Sequence, residues 1–173
     1  MIPILTRDDI LAENLLRRGV PYLSGSAPDA PAMDDVDLVI ELASSANARV
    51  RHGLAAWMLA QPQAHASILS ASANLEPAAL EHLVFLYSAA VRLQAVFVDE
   101  LRPLCSAWAP LPDYFRAIHA PQARDGDPAR ALARLAREQA NLFGALVDWE
   151  GTYRHIARTV IRRLSMERSW AGQ

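Results

Sequence analysis

The chain has a single cysteine, Cys105, no lysine and only seven glycines among its 173 residues. One cysteine excludes an intrachain disulfide and a multi-cysteine metal site. No glycine-rich phosphate loop and no Gly-x-Ser-x-Gly nucleophile elbow occurs. No histidine stands at His-x-x-x-His or Glu-x-x-His spacing, which are the helical patterns of metal ligands. The sequence therefore predicts no catalytic motif, no metal site and no cofactor, and Cys105 is interpreted as a buried structural thiol.

Long hydrophobic runs are also lacking. The longest apolar stretch, residues 83–98, has 16 residues and contains Arg92 and Gln94. A membrane-spanning helix needs about 20 apolar residues, and the first ten residues do not resemble a secretory signal peptide. We therefore expect a soluble, cytoplasmic protein without a membrane partner.

The residues that are abundant favour helices. Apolar residues make up 52% of the chain, with 32 alanines and 23 leucines, and both are strong helix formers. Alternating Val/Ile/Thr runs typical of strands are absent. All 17 basic residues are arginine, which together with the alanine content indicates GC-rich coding and a bacterial origin. The predicted fold class is all-α.

Residues 1–173 are predicted to form a single domain, a bundle of about six to eight helices. Capping residues predict helix starts at or near Thr6, Asp34, Asn47 and Asp127. Residues 19–33 are predicted to form a mobile loop. Residues 77–102 are predicted to form one long central core helix, because they are apolar on nearly all sides. The proline-rich segment 103–126 is predicted to dock on the core as an irregular segment, through aromatic residues such as Trp108 and Phe115.

Two sets of polar residues lie on the predicted central helix. At 100° per residue, one narrow stripe contains Glu81, Ser88, Arg92 and Asp99, and we expect Arg92 on it to face water.

Tyr87 and Gln94, seven residues apart, share another side of the same helix. With His82 they could line a small-molecule pocket or the site of an enzyme. Alternatively, Tyr87 and Gln94 are buried polar groups whose hydrogen bonds are satisfied within the protein.

Residues 38–59, LVIELASSANARVRHGLAAWML, resemble one HEAT repeat. The matching features are Leu42 near the end of a first helix, Val50-Arg51 at the start of a second, and Ala55-Ala56 followed by Leu59. No second copy is found, and a solenoid requires about three stacked repeats. The resemblance implies a single HEAT-like helical hairpin, and a scaffold or binding surface rather than a catalyst.

Charge is distributed unevenly along the chain. Residues 1–123 have a net charge of −5, and residues 124–173 have a net charge of +3. In the last predicted helix Arg154, Arg158 and Arg162 recur every four residues, with His155 beside them. Such a row can bind an acidic protein surface or phosphate groups, or it is simply a solvated face.

These features lead to three functional hypotheses. The first is a non-catalytic helical interaction or adaptor protein, or a small subunit of a bacterial assembly, that binds a protein partner. Because its two halves differ in charge, such a protein could also associate with itself. The second is a regulator or small subunit that contacts nucleic acid through the arginine row. The third is the small-molecule-binding bundle or enzyme with a site near Tyr87 and Gln94.

Overall fold

The computed structural model describes residues 5–20, 22–23, 27–118, 126–144 and 146–171. Parts of two predicted segments lie outside the described residues, namely 21 and 24–26 of the loop 19–33, and 119–125 of the segment 103–126. The described residues contain no strand, so the predicted all-α class is confirmed. The α-helices are α1 (Arg7–Arg17), α2 (Asp35–Ser44), α3 (Ala48–Ala60), α4 (Ala66–Ser72), α5 (Pro77–Val96), α6 (Val98–Leu101), α7 (Pro128–Phe143) and α8 (Trp149–Ala171).

Side-chain caps fix the starts of four helices. Thr6 and Asp9 form a reciprocal capping box at α1. Asp34, Asn47 and Asp127 each accept a hydrogen bond from a backbone N–H in the first turn of α2, α3 and α7 respectively. These bonds satisfy N–H groups that have no partner within the helix, and they confirm the starts predicted from sequence.

The predicted long helix is interrupted. The sequence predicts an unbroken helix over residues 77–102, but α5 ends at Val96. Phe97 leaves the helical conformation, with φ −110° and ψ 26°, and α6 begins after it. The β-branched Val96 and Val98 on either side lower the helix propensity at this point. Phe97 itself is buried in the core. The central helix is therefore shorter than predicted and continues only as one further turn.

The expectation that Arg92 faces water is wrong. Ser88 is fully buried and Arg92 is 9% exposed, whereas Glu81 and Asp99 at the two ends of the same stripe are exposed. The middle of the stripe is covered by α7 and α8, which pack against α5. The loop that carries Asp113 covers it as well, and the Arg92 guanidinium lies 3.8 Å from the Asp113 carboxylate. Arg92 also donates a 2.9 Å hydrogen bond to the Ser88 carbonyl.

The core is built around α3 and α5, which pack against each other. Helices α1, α2 and α8 pack against α3, and α2, α7 and α8 pack against α5. Trp57, on α3, is completely buried. Gly53 permits the close approach of α1 to α3, because a Cβ there would lie 2.6 Å from Leu15 Cδ1. The hairpin formed by α2 and α3 contains the HEAT-like residues 38–59.

Helices α7 and α8 form a second hairpin on the far side of α5. A five-residue connection joins them, and the Tyr153 hydroxyl donates a buried hydrogen bond to Gln139 Oε1. This bond fixes the register of the two helices. Across the whole described part of the chain, no helix combines the length and hydropathy that a membrane crossing requires.

Candidate functional site

The predicted arginine row lies on the outer side of α8, but its members differ. Arg158, Arg162 and His155 are exposed. Arg154 is half-buried and bound to Glu150 on the preceding turn, with 2.9 Å between Nε and Oε1. Because its charge is neutralised locally, Arg154 is less available to a partner than Arg158 and Arg162.

A further exposed arginine, Arg137, lies on α7. It precedes Gln139 by two residues, and Arg158 follows Tyr153, the hydrogen-bond partner of Gln139, by five residues. Among the described residues no acidic side chain forms an ion pair with Arg137, Arg158 or Arg162. We call these three residues the basic strip.

An exposed apolar surface lies at the end of the same hairpin. It consists of Leu142, Phe143, Leu146 and Val147, which we call the apolar crest. Leu142 is 65% exposed, and Leu146 is as exposed as it would be in an extended chain. Four large apolar side chains are therefore exposed within six residues, and clustered exposed apolar residues mark binding surfaces more often than scattered ones do.

A groove runs beside the crest between α5 and α7. It has a volume of about 590 Å³, and apolar residues such as Leu80, Val84 and Ile118 line most of it. Phe85, which lines the groove, makes an edge-to-face contact with Phe143 of the crest, with ring centroids 5.8 Å apart. The crest and the groove together form one apolar face.

Tyr87 and Gln94, predicted to line a pocket or to be satisfied internally, bind the backbone of the proline-rich segment. The Tyr87 hydroxyl donates to the Pro112 carbonyl at 2.9 Å. The Gln94 amide donates to the Ala109 carbonyl at 2.9 Å and accepts from the Leu111 N–H at 2.7 Å. Leu111 and Phe115 of the segment are buried in the core. These contacts attach the segment to α5.

His82, the third member of the predicted pocket, lines a different cavity. This cavity lies between α3, α5, α7 and the start of α8, and its volume is about 320 Å³. We call it the histidine cleft. Its lining residues are Arg51, His52, His82, Leu86, Gln139, Phe143, Val147 and Trp149. The structure therefore does not bring His82 together with Tyr87 and Gln94.

The surroundings of both imidazoles in the histidine cleft favour the neutral form. Burial, together with the nearby positive charge of Arg51 and the His155 ring, lowers the pKa of His52 to about 4. Burial and Arg51 also lower the pKa of His82. The His82 Nδ1 lies 3.2 Å from the Ala43 carbonyl. A carbonyl can only accept, so Nδ1 carries the proton and Nε2 is left as an acceptor.

Cys105 is buried, and its thiol lies 3.5 Å from the Leu59 carbonyl. Burial raises its pKa, which lowers the fraction of reactive thiolate at neutral pH. Within the described ranges, no group of three or more histidine, cysteine, aspartate or glutamate side chains is arranged to hold a metal ion.

Sequence reasoning identified His82, Arg158 and Arg162 individually, but it missed the apolar crest and the histidine cleft. The signal for the crest was present in the run Leu142-Phe143-Gly144, where α7 ends with two large apolar residues. The cleft had no comparable signal, because Arg51, His82 and Trp149 lie on three separate helices. The chain matches no protein-family model, and no curated protein and no solved structure is significantly similar to it.

Proposed function

We propose that this protein is a non-catalytic helical interaction protein, an adaptor or a small subunit of a bacterial cytoplasmic assembly. It binds a protein partner through the end of the α7–α8 hairpin. The single observation that carries this proposal is the exposure of the apolar crest on an otherwise well-packed bundle. Exposed leucines and phenylalanine lower solubility, and burying them against a partner removes that cost.

The shape and charge around the crest favour an amphipathic helix as the occupant. The groove between α5 and α7 offers an elongated apolar floor, which suits the apolar stripe of a helix. The basic strip begins about 8 Å from the crest, since Arg137 precedes Leu142 by five residues on α7. Glu81 and Glu138 also line the groove, so acidic residues of a partner helix would complement the basic strip only where they lie outside the groove.

The test is capture of proteins from the source organism by the full chain, quantified by mass spectrometry. We expect the double substitution Leu142→Ser with Leu146→Ser to reduce capture of the partner at least about 30-fold, because anchors at the centre of an interface typically contribute 2 kcal/mol or more. The control is Leu69→Ser, at another exposed leucine (51%), which lies on α4 away from the crest. It should leave capture unchanged.

Three outcomes would contradict the proposal. One is equal capture by the crest variant and by the Leu69 control. Another is a concentration-dependent dimer of the chain alone that disappears in the crest variant, which would make a second copy the occupant. The third is binding of a short DNA or RNA duplex at about 0.15 M salt, lost when Arg137, Arg158 and Arg162 become glutamine. That result would favour the nucleic-acid function, since contacts with phosphates dominate such binding.

A further inference from the structure

The histidine cleft contains a positive charge that the protein leaves uncompensated. Arg51 is half-buried and donates one hydrogen bond, 2.5 Å long, from its guanidinium to the Ser45 carbonyl. No acidic side chain among the described residues forms an ion pair with it, and no aspartate or glutamate lines the cleft. A partly desolvated guanidinium with free N–H groups is an effective binder of carboxylates, because its planar donors match the two carboxylate oxygens.

A second polar side chain of the cleft comes from α7. Gln139 is 4% exposed, and its Oε1 accepts the Tyr153 hydroxyl. The Nε2 of this amide donates to none of the described residues, although the side chain lines the cleft. In this orientation Oε1 accepts the Tyr153 hydroxyl, and Nε2 remains as a donor. An oxygen-bearing ligand would satisfy this donor.

The remaining walls are apolar and aromatic. The ring of Phe143 lies 5.6 Å from that of His82. Leu86, Val147, Trp149 and His52 also line the cleft. Neutral His82 presents an acceptor rather than a second charge. The cleft volume of about 320 Å³ falls at the lower end of the range for small-molecule sites. These walls suit a flat, uncharged ring.

We propose that the histidine cleft binds a small organic monoanion, a carboxylate attached to an aromatic ring. Arg51 and the Gln139 amide bind the carboxylate, and the ring lies between Phe143 and Trp149. A single guanidinium with one amide donor matches one negative charge, which favours a carboxylate over a doubly charged phosphate. This inference goes beyond the proposed function. The cleft shares Phe143 and Val147 with the apolar crest, but Leu142 and Leu146, the residues changed in the crest variant, do not line it.

The probes are indole-3-acetate and the neutral isostere indole-3-acetamide, titrated into the ¹⁵N-labelled full chain. We expect indole-3-acetate to shift the indole N–H resonance of Trp149 and to bind at least about tenfold more tightly than the amide, as charge-assisted hydrogen bonds imply. Arg51→Gln should abolish this preference. Arg49→Gln, on the same helix but outside the cleft, is the control and should preserve it.

Equal affinity for the two probes would overturn the proposal, because the cleft would then be only an apolar cavity. So would the absence of any shift at about 10 mM of either probe, a concentration that reveals even millimolar binding. Equal weakening by Arg49→Gln and Arg51→Gln would also overturn it. If Arg51→Gln lowers the stability of the protein, the affinities of the two probes for the unmodified chain still test the proposal. The crest variant should retain indole-3-acetate binding whatever it does to partner capture.

Discussion

Replacement of Trp57 by alanine is expected to lower the free energy of unfolding by about 3–5 kcal/mol. Trp57 is among the largest side chains that are completely buried, and it belongs to the main core cluster. The helices around it cannot collapse into the space that the indole would leave. In a chain of this length the loss corresponds to a fall in Tm of roughly 10 °C. Urea unfolding and thermal melts followed by circular dichroism measure both quantities.

Two further substitutions show whether burial is the cause. Trp170, on α8, is 61% exposed, so Trp170→Ala should change stability by no more than about 0.5 kcal/mol. Trp57→Phe should cost less than Trp57→Ala. It keeps an aromatic ring and removes the indole N–H, which is buried without a hydrogen-bond partner among the described residues. Equal effects of Trp57→Ala and Trp170→Ala would show that α3 is not central to the core.

Substitutions of Arg92 should distinguish the contribution of side-chain volume to stability from the contribution of the buried charge. Arg92→Ala is expected to cost about 2–4 kcal/mol, as other large-to-small core substitutions do. Arg92→Met, which keeps most of the length of the side chain, should stay within about 1 kcal/mol of the unmodified protein. Burial lowers the pKa of Arg92, and its Nε is buried without a partner among the described residues. Replacing such a poorly compensated buried charge by an apolar side chain is often neutral or stabilising.

Urea unfolding of the two variants at neutral pH gives the comparison. If Arg92→Met destabilises the protein as much as Arg92→Ala, then the ion pair with Asp113 and the hydrogen bond to Ser88 carry the stability instead of packing. A cost below about 0.5 kcal/mol for both would restore the original expectation from sequence that Arg92 faces water.

The start of a helix could be predicted from sequence because it depends on local chemistry. Thr6, Asp34, Asn47 and Asp127 cap the helices that follow them, and the hydrogen bonds involved span only two or three residues. The all-α class follows from composition for the same reason, since helix propensity is largely a property of single residues.

The environment of a side chain on the central helix could not be predicted in the same way. The stripe from Glu81 to Asp99 is polar, and a polar stripe usually faces water. Whether Arg92 is buried depends on where the chain places Asp113 and α7, which are distant in sequence. The histidine cleft has the same origin, because Arg51, His82 and Gln139 come from three helices. Hydrophobic periodicity along one helix does not show which side chains of other helices will contact it.

The most direct test of the central claim, that the α7–α8 end is the binding surface, is hydrogen–deuterium exchange of the chain with and without its captured partner. We expect peptides covering residues 142–149 to become protected in the complex. Helices α1 and α2, which carry acidic side chains such as Asp9 and Asp37, should exchange as before. Protection confined to α1 and α2, with residues 142–149 unchanged, would contradict the account, as would the failure of any protein to be captured in a crest-dependent way.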